Sequence, residues 1–365
     1  VGKRVTFRHA KVTAVSSAYG GREISIDDEA GYYESREQLE RLKRTIGFDR
    51  RWVVDGTVTS ADLCLQAARE LMDRCALEAA DFDAVVFVTQ TPDYCMPGNA
   101  HVLHRALSLP RSCIAFDLVY GCSGYVKGLF LAFMLAEQGF RRILVLTGDT
   151  LSRIIDVRNR ADAPVFGDAG CATVVERCDG ESPSWFCLYS DGSGLETMWQ
   201  QAGAYRCPSS EETRREIVDE KGNVRCRDDF YMNGFEVFNF TLTEQPPLLR
   251  DILEYSDCPA DGVDFFVFHQ ANRYIIETIV KKAGIPLAKA PRRTFSEFGN
   301  QSSASIPFTI CNELSEALEG KRARVVLQGF GIGLSWGACL LDFDGVTILE
   351  PRVCRPEGSD GQSDL

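Results

Sequence analysis

The run Cys113-Ile-Ala-Phe-Asp-Leu-Val-Tyr-Gly-Cys-Ser-Gly-Tyr-Val-Lys-Gly-Leu-Phe-Leu-Ala-Phe-Met-Leu135 decides the fold. It opens as a short apolar stretch, the pattern of a strand buried on both faces. A turn ending in Gly121 follows, and a helix is expected over 122–138. Its residues Tyr125, Val126, Leu129, Phe130, Leu131, Phe133, Met134 and Leu135 are apolar nearly all round. A helix without a polar face belongs in a protein's centre. A strand feeding a central helix points to layered α/β architecture.

Neighbouring segments repeat this grammar. Strands are read at Asp83–Thr89, Ile143–Thr147 and Cys171–Val175, and helices at 60–76 and 98–109. Apolar strands alternating with helices imply a parallel or mixed sheet covered on both faces. The second half reads alike: a strand at Asp264–Phe268, helices over 270–284 and 302–318, and strands near 323–329 and 335–343. The run 82–90 is echoed by 263–270, and Gly121-Cys-Ser-Gly124 by Gly299-Asn-Gln-Ser302. Repetition at this scale indicates a duplicated α/β unit. Three segments break the pattern. Residues 206–228 are strongly charged and read as an exposed excursion, and 351–365 read as a fraying tail. Pro246-Pro247 should break or kink the helix read over 232–256.

With 365 residues, 45% of them apolar, the chain can bury one large core or two ordinary ones. No apolar run is long enough for a membrane span, and no secretory pattern follows Val1-Gly2-Lys3-Arg4. The 14 cysteines include no Cys-x-x-Cys pair. Cys64, Cys113, Cys171, Cys187, Cys311 and Cys339 lie in apolar patterns and read as small buried hydrophobes in a reducing cytoplasm. Four histidines without ligand spacing argue against a zinc site, so no metal is expected. A net charge of −12 opposes nucleic-acid binding. Local basic clusters at Arg41, Lys43 and Arg44, and at Arg273, Lys281 and Lys282, could still meet an acidic partner, although such clusters are usually solvated helix faces.

Chemistry concentrates at three positions. Cys122 opens the central helix, where free N–H groups and the helix dipole would bias the thiol toward thiolate. The bland alternative is one more buried cysteine. His269 ends the strand Phe265–Phe268, where α/β sheets place reacting groups. Asn300 follows Gly299 and has an N-cap as its structural reading. It occupies in the second half the place of Cys122 in the first, so both helix starts should approach one axis. The run Gly329-Phe-Gly-Ile-Gly333 could aim backbone N–H groups into a site.

Together these motifs resemble the β-ketoacyl-acyl-carrier-protein synthase III family of the thiolase superfamily. The resemblance spans roughly 40–345 and rests on Gly-Cys-Ser-Gly (121–124), Phe-Gly-Asp-Ala-Gly (166–170), His-Gln-Ala-Asn (269–272), Gly-Asn-Gln-Ser-Ser-Ala-Ser-Ile-Pro (299–307) and Gly-Phe-Gly-Ile-Gly-Leu-Ser-Trp-Gly (329–337). It implies a duplicated five-layered α/β/α/β/α sandwich, with a half carrying the cysteine (1–182) and a half carrying His and Asn (183–350). It implies Cys122 as nucleophile, with His269 and Asn300 assisting decarboxylation. Backbone N–H groups of Cys122 and Ile332 would form the oxyanion hole. Gly234, Phe238 and Asn272 would line a pantetheine tunnel, with Phe330 beside the cysteine. Met96, before Pro97, would reach the acyl pocket of the partner in a homodimer.

The implied reaction moves an acyl group from acyl-CoA or an acyl carrier protein to Cys122. Decarboxylative condensation with malonyl-ACP or malonyl-CoA then follows, with no permanently bound cofactor. Some positions depart from the family. The tryptophan that stacks on the coenzyme A adenine is replaced around Arg41, and the family's arginine falls near Thr45, with Arg44 one place away. Tyr274 stands where an arginine is common, and Phe235 replaces a polar tunnel residue. These departures suggest a specialised lipid or secondary-metabolite pathway and a donor presented on a carrier protein, docked at Arg273, Lys281 and Lys282. The competing reading is a same-fold acyltransferase passing the acyl group to an alcohol or amine. A papain-like hydrolase shares the Cys, His, Asn order, but the α/β repeat opposes it. Retention of all three residues opposes a catalytically dead scaffold.

Overall fold

The structure, a computed structural model, describes residues 2–354. Two mixed sheets carry it. The first runs in the order Thr347–Ile348, Ala10–Tyr19, Ala169–Arg177, Arg142–Asp149, Ala84–Val88, Ile114–Leu118. Strand Ala84–Val88 pairs in parallel with both of its neighbours, and every residue in it is buried. The second sheet runs Lys3–Phe7, Ser184–Ser190, Ser335–Asp344, Arg322–Gly331, Phe265–Phe268. The last four strands of this order match four consecutive strands of the first sheet, from Ala10–Tyr19 to Ala84–Val88, including the parallel pairing of Phe265–Phe268 with Arg322–Gly331. The duplication read from the sequence is therefore a duplication of topology.

Between the sheets lie the helices Gly124–Glu137 and Ser305–Glu313. Tyr125, Val126, Leu129 and Phe133 from one, and Ile306 and Ile310 from the other, share a core with Val86 and Val145 of the first sheet and Val267, Leu327 and Leu341 of the second. Outside the first sheet, helix Ser60–Cys75 packs Cys64, Ala67, Ala68 and Leu71 against Val85, Phe87, Leu144 and Leu146. Outside the second, helices Gly234–Tyr255 and Arg273–Ala283 cover Phe266, Phe268, Val326 and Leu340. The result is the five-layered α/β/α/β/α sandwich. The helix Gly124–Glu137 is apolar nearly all round because both of its faces are covered.

The boundary at 182 is crossed twice. Strand Lys3–Phe7 pairs with Ser184–Ser190 in the second sheet, while Thr347–Ile348 and Arg352–Val353 pair with Ala10–Tyr19 in the first. The tail expectation from 351 therefore fails for its first residues. Their backbone extends the sheet, and Cys354 packs beside Val54, Val58 and Leu63. The remainder of the tail, 355–365, lies outside the described residues.

Two helix expectations also change. The helix Gly234–Tyr255 runs unbroken through Pro246 and Pro247. Proline removes an N–H from the ladder, which frees the carbonyl four residues earlier. Lys282 Nζ donates to the carbonyl of Leu242, four before Pro246, at 3.3 Å. Burial of Pro246, Leu248, Leu249 and Ile252 holds the rest of the helix in place. The helix expected over 302–318 is instead three pieces, Ser302–Ala304, Ser305–Glu313 and Ser315–Leu318, beginning at Ser302 with a φ of 49°.

Candidate active site

Cys122 does not head the helix. It lies in the turn before it, two residues ahead of Gly124. The expected bias toward thiolate is absent. Burial, and then the negative charge of Asp149, push the thiol up to about 12. Desolvation outweighs the dipole of a helix that starts beyond the sulfur. The strand Arg322–Gly331 ends against this turn. A Cβ on Gly331 would stand 2.8 Å from the Cβ of Cys122, so only glycine allows the approach.

His269 follows its strand and donates its backbone N–H to Gln328 O at 2.8 Å. Its ring is buried, edge-on to Phe330 with centroids 5.3 Å apart. Burial pushes its pKa down to about 3, so the imidazole is neutral. Nδ1 meets Ser305 Oγ at 2.6 Å. With the hydroxyl donating to Nδ1, the ring proton stays on Nε2, as a donor toward the cavity.

Asn300 is held from two sides. Its backbone N–H donates to Val165 O at 2.8 Å, and its carbonyl accepts from Gly167 N at 3.1 Å. The motif Phe-Gly-Asp-Ala-Gly thereby anchors this loop. A Cβ on Gly167 would lie 2.0 Å from Phe298 O. Asp168, one residue on, accepts from Val54 N at 2.9 Å and from Ser152. Asn300 Oδ1 accepts from Ser302 N at 2.8 Å, which leaves its Nδ2 free to donate elsewhere. The N-cap reading of Asn300 is thus replaced by a local Asx-type turn.

Cys122, His269 and Asn300 line one cavity of about 790 Å³, together with Phe330, Gly331 and Ile332. The backbone N–H groups of Cys122 and Ile332 donate to no backbone carbonyl among the described residues. Gly234, Phe238 and Asn272 line the same cavity. Asn272 also caps the helix Arg273–Ala283, accepting from Ile275 N at 2.8 Å. Met96 stands apart, 70% exposed and outside the lining of its own chain's cavity.

Of the three cations assigned to docking, two are engaged within the chain. Arg273 donates to Arg44 O, and Lys282 to Leu242 O. Lys281 is exposed, and no carboxylate pairs with it among the described residues.

Sequence reading missed several contributors. Ser302 and Ser305 lie in the quoted run 299–307 but were given no role of their own. Asp149 is buried at the end of its strand and accepts from Gln90 N at 2.7 Å and Ser303 Oγ at 2.7 Å. The charged stretch 206–228 is more than an excursion: Lys221 and Asn223 line the cavity. Arg160 ties that loop to Tyr32 by donating to the carbonyls of Lys221 and Tyr32. A charge run carries no sequence signal for such a wall.

Among the described residues no group of histidine, cysteine and carboxylate side chains could hold a metal, and no helix is long and apolar enough to cross a membrane. The chain matches the profile for 3-oxoacyl-[acyl-carrier-protein (ACP)] synthase III over 116–192 and that family's C-terminal profile over 253–343. It is 32% identical to a β-ketoacyl-[acyl-carrier-protein] synthase III of Streptococcus suis, over 91% of this chain and 98% of that one. A 3-oxoacyl-(acyl-carrier protein) synthase from Burkholderia xenovorans superposes with a TM-score of 0.90 at 32% identity, covering 97% and 99% of the two chains. The priming β-ketosynthase of the R1128 polyketide pathway superposes at 0.79 with 26% identity, covering 93% and 97%. With one sandwich, one cavity and these relatives in agreement, the chain belongs to the 3-oxoacyl-[acyl-carrier-protein] synthase III family.

Proposed function

We propose that this condensing enzyme carries its acyl group on Cys122 and uses His269 and Asn300 to decarboxylate a malonyl thioester held on acyl carrier protein. The observation that carries this reading is the convergence of the three side chains on one cavity. Acyl transfer to the cysteine splits carbon–carbon bond formation into two easier steps. Loss of CO₂ leaves an enolate whose charge sits on the thioester oxygen. His269 Nε2 and Asn300 Nδ2 are the donors that would meet it. A neutral histidine suits this role, because it donates without protonating the carbanion. The free N–H groups of Cys122 and Ile332 would stabilise the tetrahedral intermediates, and each such donor is worth about 10²–10³ in rate.

The acyl chain would lie against Leu151, Val165, Phe166, Met198, Phe230 and Met232, which line the cavity and share a core. This wall supports chains longer than acetyl. The homodimer is supported by strand Ile114–Leu118, which forms an edge of the first sheet. Ile114 and Val119 are 47% and 80% exposed there. An open strand edge with apolar side chains invites pairing with a second copy, and Met96 would then serve the partner's cavity. Carrier docking is supported by Arg41, Arg44 and Lys281, exposed cations that no carboxylate pairs with among the described residues. The free nucleotide carrier, coenzyme A, would be the poorer donor.

Intact-mass measurement after incubation with acyl-CoA and acyl-carrier thioesters tests the core of this reading. The protein should gain one acyl mass, mapped to Cys122, and Cys122→Ala should gain none. An adduct on another cysteine would overturn it. Carrier preference is tested in the same assay across a salt series, since steering by Lys281 weakens as salt screens it over about 8 Å.

A further inference from the structure

Asp149 is wholly buried, and nothing in the reaction above uses it. Its carboxylate joins loops from the two halves of the chain. Oδ1 accepts from Gln90 N at 2.7 Å and Thr89 Oγ1 at 3.2 Å, in the loop that follows strand Ala84–Val88. Oδ2 accepts from Ser303 N at 3.1 Å and Ser303 Oγ at 2.7 Å, in the loop that carries Asn300. No ion pair reaches this carboxylate among the described residues. Burying a charge without a cation is costly, so a neutral side chain would be expected here unless the site demands acceptance on both oxygens.

The geometry makes that demand. Each oxygen faces a backbone N–H, and a backbone N–H can only donate. An amide in this place would aim its NH₂ at one of the two, whichever way it turned. Of the two near-isosteric side chains, only the carboxylate can hold Gln90 and Ser303 together.

What is held bears on Asn300. Its Oδ1 accepts from Ser302 N at 2.8 Å, and Asp149 takes the next backbone N–H, that of Ser303. Ser302, between these contacts, has a φ of 49°, a left-handed conformation that persists where neighbours fix it. The turn 300–303 is thus fastened to the first half of the chain. The same two loops flank the nucleophile: a Cβ on Gly121 would collide with Gln90 Oε1 and stand 3.1 Å from Ser302 Oγ. Asp149 itself does not line the cavity, so it acts through what it holds.

We propose that Asp149 is a positioning residue that sets the Asn300 amide against Cys122 by clasping the turn 300–303 to the Gln90 loop. The proposal rests on the reading of Asn300 as a donor to the malonyl enolate.

Asp149→Asn keeps the side chain's size and opposes one of its hydrogen bonds. The amide oxygen should stay on Gln90 N, the shorter backbone contact, and its NH₂ should meet Ser303. The Ser303 hydroxyl can turn to accept, but the Ser303 N–H cannot, and the turn shifts. Small misplacement of a reacting group is expensive in rate, so kcat for CO₂ release from a malonyl thioester should fall about tenfold or more. KM for that thioester should stay within about twofold, and acyl loading of Cys122 should not slow. Equal loss of both half-reactions, or undiminished CO₂ release, overturns the proposal. The Asn300→Ala background separates positioning from support of the fold. With the amide already gone, Asp149→Asn should cost less than about twofold more. A carboxylate needed only for the fold would cost the same factor in both backgrounds, and that result also overturns the proposal. Ser303→Ala removes one donor and no charge, and keeps the test open should Asp149→Asn fail to fold. It should slow CO₂ release by about two- to fivefold, leave loading unchanged, and have no further effect in the Asn300→Ala background. Loading that falls with CO₂ release would refute the clasp. Failure of the underlying reading is separate: Asn300→Ala alone would then release CO₂ at the parent rate.

Discussion

Replacing Ser305 with alanine should uncouple the two half-reactions. The His269 Nδ1 to Ser305 Oγ contact is 2.6 Å long, and both residues are buried. In the tautomer that serves the proposed enolate donor, the hydroxyl donates to Nδ1 and the ring proton stays on Nε2. Alanine leaves Nδ1 without a partner, and a buried polar atom so orphaned costs about 1–3 kcal/mol. The ring can recover that energy only by turning or by shifting its proton, and either change removes the Nε2 donor from the cavity. At about 1.4 kcal/mol per factor of ten, CO₂ release from a malonyl thioester should fall by about 5- to 150-fold. Acyl loading of Cys122 should stay within about twofold, since the role proposed for His269 is at the malonyl enolate. The assay measures radiolabelled CO₂ and intact-mass loading on the same preparation, with thermal unfolding to confirm the fold. Nitrogen NMR of the His269 ring reads the tautomer directly. Unchanged CO₂ release, or an equal fall in both half-reactions, would refute the reasoning.

The buried ring of His269 also sets an acid limit. Its pKa is near 3 in the folded chain and about 6.5 when unfolded, so the unfolded state alone binds a proton between those values. Stability should therefore fall as pH drops from 6.5 toward 3, and denaturant titrations should show His269→Gln losing less over that window than the parent. Lys282→Ala should lower stability by about 0.5–1 kcal/mol, because it bares the Leu242 carbonyl that Pro246 cannot reach. Lys281→Glu should instead slow loading from a carrier-bound donor with little change in unfolding midpoint. Met198→Trp should shorten the acyl chain accepted. Each methylene kept out of the cavity loses about 0.8 kcal/mol, roughly fourfold in kcat/KM, while acetyl loading persists.

Much of this protein is legible without coordinates. The apolar strands at 84–88 and 265–268 and the all-round apolar helix at 124–137 require covering layers on both sides, and the internal echo requires that the layers occur twice. Cys122 and Asn300 each follow a glycine and His269 ends a strand, and these local cues together with the shared motifs were enough to nominate them. Pairing partners were beyond their reach. Lys3–Phe7 and Arg352–Val353 each cross to the other half's sheet, because β-pairing joins residues far apart in the chain and leaves no local period behind. The same is true of Lys282 serving Leu242, and of Lys221 and Asn223 walling the cavity. The ionisation of the site was misjudged for a related reason. A helix start near Cys122 is a local feature and suggests a thiolate. Desolvation, and the charge of Asp149 brought in from another strand, are three-dimensional, and in a buried site they outweigh the dipole. Sequence alone determined the layered scaffold and nominated Cys122, His269 and Asn300 for the chemistry. Tertiary structure alone decided their protonation, their partners Ser305, Ser302 and Asp149, and the shape of the cavity, because burial and charge act through space rather than along the chain.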